Sequence, residues 1–152
     1  MADQLRIFHK VQVAHAALFR AADHRIRSRV GLSTSQLAVL FILARKDGLP
    51  ISEVSRILSM GKSSLTGLVD RMCARGLVRR APSERDGRIT QLYLCAPGRA
   101  LLAQGGAETR RFNAALLAPF SAHEQQVIDR FLTHLTENAD SIINQPEART
   151  DG

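Results

Sequence analysis

The chain has 152 residues, enough for one domain with a real core, and at 45% hydrophobic and 23% charged it has an ordinary globular composition. A net charge of +7, carried almost wholly by arginine, points to a polyanion partner, since guanidinium forks bind phosphate bidentately and read guanine edges. Two cysteines at no paired spacing, Cys73 and Cys95, argue against a disulfide framework or structural zinc; neither a membrane-spanning apolar run nor a secretory signal is visible, so a cytoplasmic location is expected.

From Leu5 to about Arg27, apolar residues recur at three- and four-residue steps (Leu5, Phe8, Val11, Ala14, Leu18, Phe19, Ala22, Ile26), which predicts a long amphipathic helix. Ser33 with Gln36 three residues later is a capping box for a second helix, about Thr34 to Lys46, stopping at "DG". "ISEVSRIL" after Pro50 predicts a short third helix with Ile51, Val54, Ile57 and Leu58 on its apolar face. The turn "SMGK" leads to a fourth, Lys62 to about Arg75, with Leu65, Leu68, Val69 and Met72 facing inward. Gly76 then stands where a helix-terminating glycine belongs. "LVRRA" and "ITQLYLC" read as two strands joined by "PSERDGR", a long hairpin loop. A fifth helix is expected from about Pro97 to Ala118, interrupted at Gly105 and Gly106. Replacing both glycines with alanine would then stiffen it. A sixth, capped by Ser121 and Glu124, runs to about Asn138 with Val127, Ile128, Phe131, Leu132 and Leu135 buried, followed by a frayed polar tail.

The order is four helices, a hairpin and two helices. A helix pair at a tight turn followed by a β-hairpin is the order of a winged helix-turn-helix, in which the second helix enters the major groove and the hairpin reaches the minor groove. The N-terminus of the fourth helix, "GKSSLTGLVDR", presents Lys62, Ser63, Ser64, Thr66 and Gly67 on its polar face. Small hydroxyl residues there suit base edges and phosphates, and the positive helix end favours an anion. No Walker loop, zinc cluster, nucleophile elbow or dinucleotide fingerprint occurs, so no enzymatic activity, cofactor or metal is expected. The fold class expected is mostly α with a small β-hairpin wing.

From about Gly31 to Leu102 the sequence resembles the multiple-antibiotic-resistance regulator (MarR) family of winged-helix transcription factors. "SSLTGLVDRMCARGLVRR" is similar to its recognition helix and first wing strand, "DGR" to its wing motif, and "LCAPGRALL" to the start of its fifth helix. The resemblance implies a homodimeric regulator of double-stranded DNA with a pseudo-palindromic operator, residues 1–30 and 97–145 forming the dimerisation region, 31–96 the DNA-reading region and 146–152 a flexible tail. It implies that Arg88 enters the minor groove, that Asp86 holds its guanidinium, and that Ser63, Ser64 and Thr66 contact DNA. In the same reading Gly87 permits the tight tip and Arg85 attracts phosphate. Asp70 and Arg71 match a pair that either forms an ion pair within the helix or contacts DNA, and Arg56 and Arg75 are candidate phosphate anchors. Departures from the family pattern are Gly67 in place of a larger polar residue, Cys95 in place of a capping threonine, and the glycine pair in the fifth helix.

Family members commonly act as repressors released by small aromatic or anionic ligands, for which His15, Phe19, Phe41 and Phe112 are the candidate lining. Cys73, close to Arg71 and Arg75 in sequence, is the alternative sensor if a thiol is used. Two other readings use the same features: a sequence-independent architectural DNA-binding protein, and an adaptor that has kept the fold without binding DNA.

Overall fold

A computed structural model describes residues 6–146. Leu5, and the expected flexible tail from residue 147 onward, lie outside the described residues. By compactness the chain divides after Thr109 into two units.

In the first unit, α1 (Ile7–Val30) runs one turn past the expected end and stops at Gly31, whose φ of 73° is left-handed. Asp23 of α1 pairs with Arg27 at 2.7 Å and accepts the Thr34 N–H at 2.7 Å. The Arg27 bond, then the Thr34 bond, holds its carboxyl below the usual range, so Asp23 is a charged cap for the next helix at any pH near neutral. That helix, α2 (Thr34–Arg45), opens with the reciprocal Ser33 and Gln36 bonds, each 3.0 Å. A two-residue strand absent from the sequence expectations follows, β1 (Leu49–Pro50), and leads directly into α3 (Ile51–Leu58).

The turn from α3 to α4 (Lys62–Ala74) does not depend on glycine. The left-handed residue is Ser59, at φ 50°, while Gly61 is extended at φ −62°. Ser55 closes the turn, its Oγ donating to the Met60 carbonyl at 2.6 Å and its own carbonyl accepting the Met60 N–H at 3.1 Å. Leu65, Leu68, Val69 and Met72 are all buried beneath α4. Each such burial contributes about 1.5–3 kcal/mol, which outweighs the roughly 1 kcal/mol that Gly67 costs a helix interior. Gly76, at φ 70°, ends the helix as expected: its N–H reaches the Cys73 carbonyl and that of Leu77 reaches Met72, the paired bonds of a Schellman turn.

The wing strands are β2 (Val78–Pro82) and β3 (Thr90–Leu94), paired antiparallel with Val78 opposite Leu94 and Pro82 opposite Thr90. β1 pairs on the other edge of β3, so the sheet order is β1-β3-β2. Pro82 thus belongs to a strand and Ile89 to the loop, the reverse of the expected limits. Val78, Leu92 and Leu94 turn to the core with Val39, Leu40, Leu43 and Val54. Ile57 does not join them: it is 46% exposed, because its direction on α3 falls beside the stripe formed by Ile51, Val54 and Leu58.

The glycine pair does not interrupt α5 (Ala96–Leu117), which is continuous. Gly105 is buried against Leu37, whose Cδ1 would stand 2.4 Å from a Cβ added there, and Gly98 lies against the Leu77 carbonyl, 2.3 Å from an added Cβ. These glycines allow close approach of α5 to α2 and to the base of β2. Arg25 of α1 joins Glu108 of α5 at 3.1 Å.

The second unit carries the end of α5 and α6 (Ala122–Ile143), longer than expected and opened by the Ser121 and Glu124 capping box. Gln125 ties the corner by donating to the Leu117 and Phe120 carbonyls at 3.0 and 2.9 Å. Contrary to the expected burial, no residue of α6 is buried in the single chain; Val127, Phe131 and Leu132 are exposed. The described residues are thus mostly helical with one small antiparallel sheet, and α3, α4 and the hairpin form a winged helix-turn-helix.

Candidate nucleic-acid interface

The N-terminal turn of α4 stands clear of the core because its buried residues begin only at Leu65. Lys62, Ser63, Ser64 and Thr66 are exposed there. The Thr66 hydroxyl donates to the Lys62 carbonyl at 2.8 Å, which commits its proton to the helix and leaves its lone pairs outward. At Gly67 a Cβ would come within 3.7 Å of the Arg71 guanidinium. That is ordinary contact distance, so the space beside Arg71 does not require glycine at this position.

The wing loop is ordered by its own hydrogen bonds. Ser83 N–H donates to the Ile89 carbonyl at 2.8 Å, Ile89 N–H to the Asp86 carbonyl at 3.0 Å, and Ser83 Oγ accepts the N–H groups of Arg85 and Asp86 at 3.3 and 3.4 Å. Gly87 is not left-handed, and an added Cβ would meet nothing within 4 Å. The tip therefore does not need the conformational freedom of glycine, contrary to the expectation from sequence.

Asp86 grips Arg88 three times. Its Oδ1 accepts the Arg88 backbone N–H and Nε, each at 3.1 Å, and its Oδ2 accepts Nη2 at 3.3 Å. The Arg88 side chain is nevertheless 91% exposed. An arginine projected into solvent is thus held in one orientation by a fork-to-fork contact. The side-chain and backbone bonds from Arg88 keep the Asp86 carboxyl below its usual range.

Between α4 and the wing runs a groove of about 490 Å³, lined by Lys62, Thr66, Asp70, Arg80, Arg88 and Thr90 with Ile51, Ser52 and Ile89. Asp70 pairs with Arg80 of β2 at 2.6 Å and not with its neighbour Arg71. Arg80 also comes within 3.8 Å of Cys73 Sγ, so the cation beside that thiol comes from the wing. Arg79 turns the other way, onto the Tyr93 ring at 4.3 Å.

The remaining candidates lie on α1, α2, α3, the end of α4 and α5. Arg56 is drawn to Glu53 one turn back on α3, and Arg75 donates to the Gly31 carbonyl at 2.8 Å, closing the end of α1. Each has a structural partner that takes up part of its guanidinium. His15 and Phe19 are exposed on α1 with ring centroids 5.8 Å apart. Phe41 is half-buried on α2, and Phe112 is half-buried in the second unit.

Arg80 was legible in the sequence through strand parity. Val78 faces the core, so the residue two further on faces the same side, toward α4. Arg79 and Arg80, adjacent in sequence, occupy opposite faces of the strand.

Among the described residues no helix is long and apolar enough to cross a membrane, and no group of three or more His, Cys, Asp or Glu could hold a metal ion.

The family model described as MarR family matches residues 30–89, the span from the end of α1 to the wing. An HTH-type transcriptional repressor of Mycobacterium tuberculosis is 30% identical over 119 residues, covering 78% of this chain and 86% of that protein. The crystal structure of a probable transcriptional regulator from Pseudomonas aeruginosa is similar with a TM-score of 0.70 and 32% identity, covering 88% of this chain and 97% of that one. The PcaV transcriptional regulator from Streptomyces coelicolor, solved in complex with its natural ligand, is similar with a TM-score of 0.70 and 25% identity over 91% of this chain and 94% of its own.

Proposed function

Because the chain belongs to the MarR family of transcriptional regulators, we propose that it acts as a homodimeric repressor that binds a pseudo-palindromic operator and is released by a small aromatic or anionic ligand. The observation that carries the DNA-binding part is the wing arginine. Arg88 is 91% exposed yet fixed by Asp86, beside a groove whose other cations, Lys62 and Arg80, line the approach to α4. An exposed arginine with no target gains little from being held. One that must enter a narrow groove loses less entropy on binding when it is already aimed.

In this reading α4 enters the major groove with Lys62, Ser63, Ser64 and Thr66 foremost, and Arg71 and Arg85 contact phosphate. Residues 1–30 and 97–145 pair two chains, supported by the exposed apolar residues of α1 and α6. The repressor role is supported by the similar mycobacterial repressor, and release by ligand by the ligand complex of PcaV. The proposed lining rests on the neighbouring rings of His15 and Phe19 on α1.

The test is selection of bound fragments from random-sequence duplex, followed by competition between the winner and random duplex across salt. A specific regulator prefers the winner by at least about a thousandfold, and log K falls linearly with log salt. Equal affinity for both duplexes would make the protein architectural, and salt-independent or absent binding would make it an adaptor.

A further inference from the structure

Building on the DNA-binding reading above, we propose that the Asp70 and Arg80 pair is a positioning device, which locks the wing to the recognition helix and so sets the angle between the face entering the major groove and the arginine entering the minor groove. The Arg80 guanidinium straddles one turn of α4: Nη2 donates to Asp70 Oδ1 at 2.6 Å, and Nη1 reaches Cys73 Sγ at 3.8 Å. A planar fork held at two points along a helix resists rotation in a way a single ammonium contact would not.

Three facts favour positioning over simple charge. First, Asp70 lines a groove whose charged residues are otherwise cations. A carboxylate there repels incoming phosphate, so a purely electrostatic surface would be better without it. Second, the pair is a weak source of stability, because its side chains are 33% and 60% exposed and such pairs are worth about 0–1 kcal/mol. Third, the hairpin is stiff within itself, through the β2 and β3 ladder and the Ser83 to Ile89 bond. What remains to be fixed is its tilt against α4. Arg80 lies midway along β2, and the strand end and loop beyond it act as a lever. Beyond it lie two strand residues at about 3.3 Å each and the folded loop, which put the tip on the order of 10 Å away, so a tilt of about 10° moves the tip by roughly 2 Å. A displacement of that size would take Arg88 out of register with its groove.

The experiment compares wild type, Asp70→Asn, Arg80→Gln, Arg80→Lys and the exchanged pair Asp70→Arg with Arg80→Asp. Each is titrated with the duplex that the wild-type protein selects from random DNA and with a random duplex of equal length. Asp70→Asn is expected to weaken binding to the selected duplex about tenfold, although it removes a negative charge, and to leave random duplex unchanged or tighter. Arg80→Gln is expected to give the same loss of preference with an unchanged salt slope. The exchanged pair restores most of the preference, and Arg80→Lys, which keeps charge but not the fork, restores less. Unfolding temperatures within a few degrees of wild type separate these effects from misfolding. The proposal is overturned if Asp70→Asn tightens both duplexes alike, since Asp70 then only repels phosphate. It is also overturned if Arg80→Gln weakens both alike and lowers the salt slope by about 1, the mark of a phosphate contact. Normal preference in every variant removes the positioning role alone, whereas a wild type that selects no duplex removes the DNA-binding reading and the proposal with it.

Discussion

At the scale of single residues, the wing pair shows how a surface side chain is made ready for a target. A free arginine carries about 2 kcal/mol of rotamer entropy, and the fork from Asp86 removes part of it before binding. Arg88→Ala should therefore lower affinity for the selected duplex by about 1–3 kcal/mol with the protein still folded. Asp86→Ala should cost less, because orientation is lost but the charge remains. The Asp86 carboxyl is held below the usual carboxylate range. Its contact is present above that range and is lost only as pH falls through the lower folded value. The deficit of Asp86→Ala should accordingly be constant between about pH 5 and pH 8, as read by fluorescence anisotropy at several pH values. Wild-type affinity in both variants would return the loop to an ordinary solvated tip.

At the scale of elements, α5 illustrates propensity overridden by packing. Alanine in place of a helix-interior glycine gains about 1 kcal/mol from propensity alone, the basis for expecting a stiffer and more stable helix. At Gly105, however, an added Cβ would stand 2.4 Å from buried Leu37, and overpacking of this kind costs about 1–3 kcal/mol. Gly105→Ala should therefore lower stability in urea unfolding. Gly98→Ala should lower it more, because the obstruction is the Leu77 backbone carbonyl rather than a side chain with rotamers to spare. An increase in stability for either would show that Leu37 or the strand base yields easily.

At the scale of the whole molecule, large apolar side chains stay exposed in the single chain. Phe8 is 69% exposed on α1 and Leu132 51% on α6, and α6 contains 22 residues of which none is buried. An uncovered apolar stripe on a helix of that length marks an interaction surface and supports the proposed homodimer. Light scattering should therefore give twice the mass of one chain at micromolar concentration. Leu132→Glu with Phe131→Glu should shift it toward the monomer and abolish preference for the selected duplex, which in the proposed dimer is read by two lobes about one helical turn, roughly 34–36 Å, apart. A monomeric wild type would refute the paired arrangement.

Much of this was written in local pattern. The capping boxes at Ser33 and Ser121, the terminating Gly76 and the inward stripe Leu65, Leu68, Val69 and Met72 were readable because each depends on residues within one or two helical turns. The order of those elements, with "DGR" at the wing, was enough to identify the family. The remaining features depend on residues far apart in sequence. Asp70 chooses Arg80 over adjacent Arg71 because the chain folds β2 back across α4, and consecutive residues on a helix diverge by about 100°. Gly105 is a glycine because Leu37 arrives from another helix. Arg56 and Arg75, interchangeable in the sequence with any exposed cation, are distinguished by Glu53 and the Gly31 carbonyl. Periodicity reports which face of an element is apolar; what covers that face, and which charges meet across a groove, is set by the path of the chain in three dimensions.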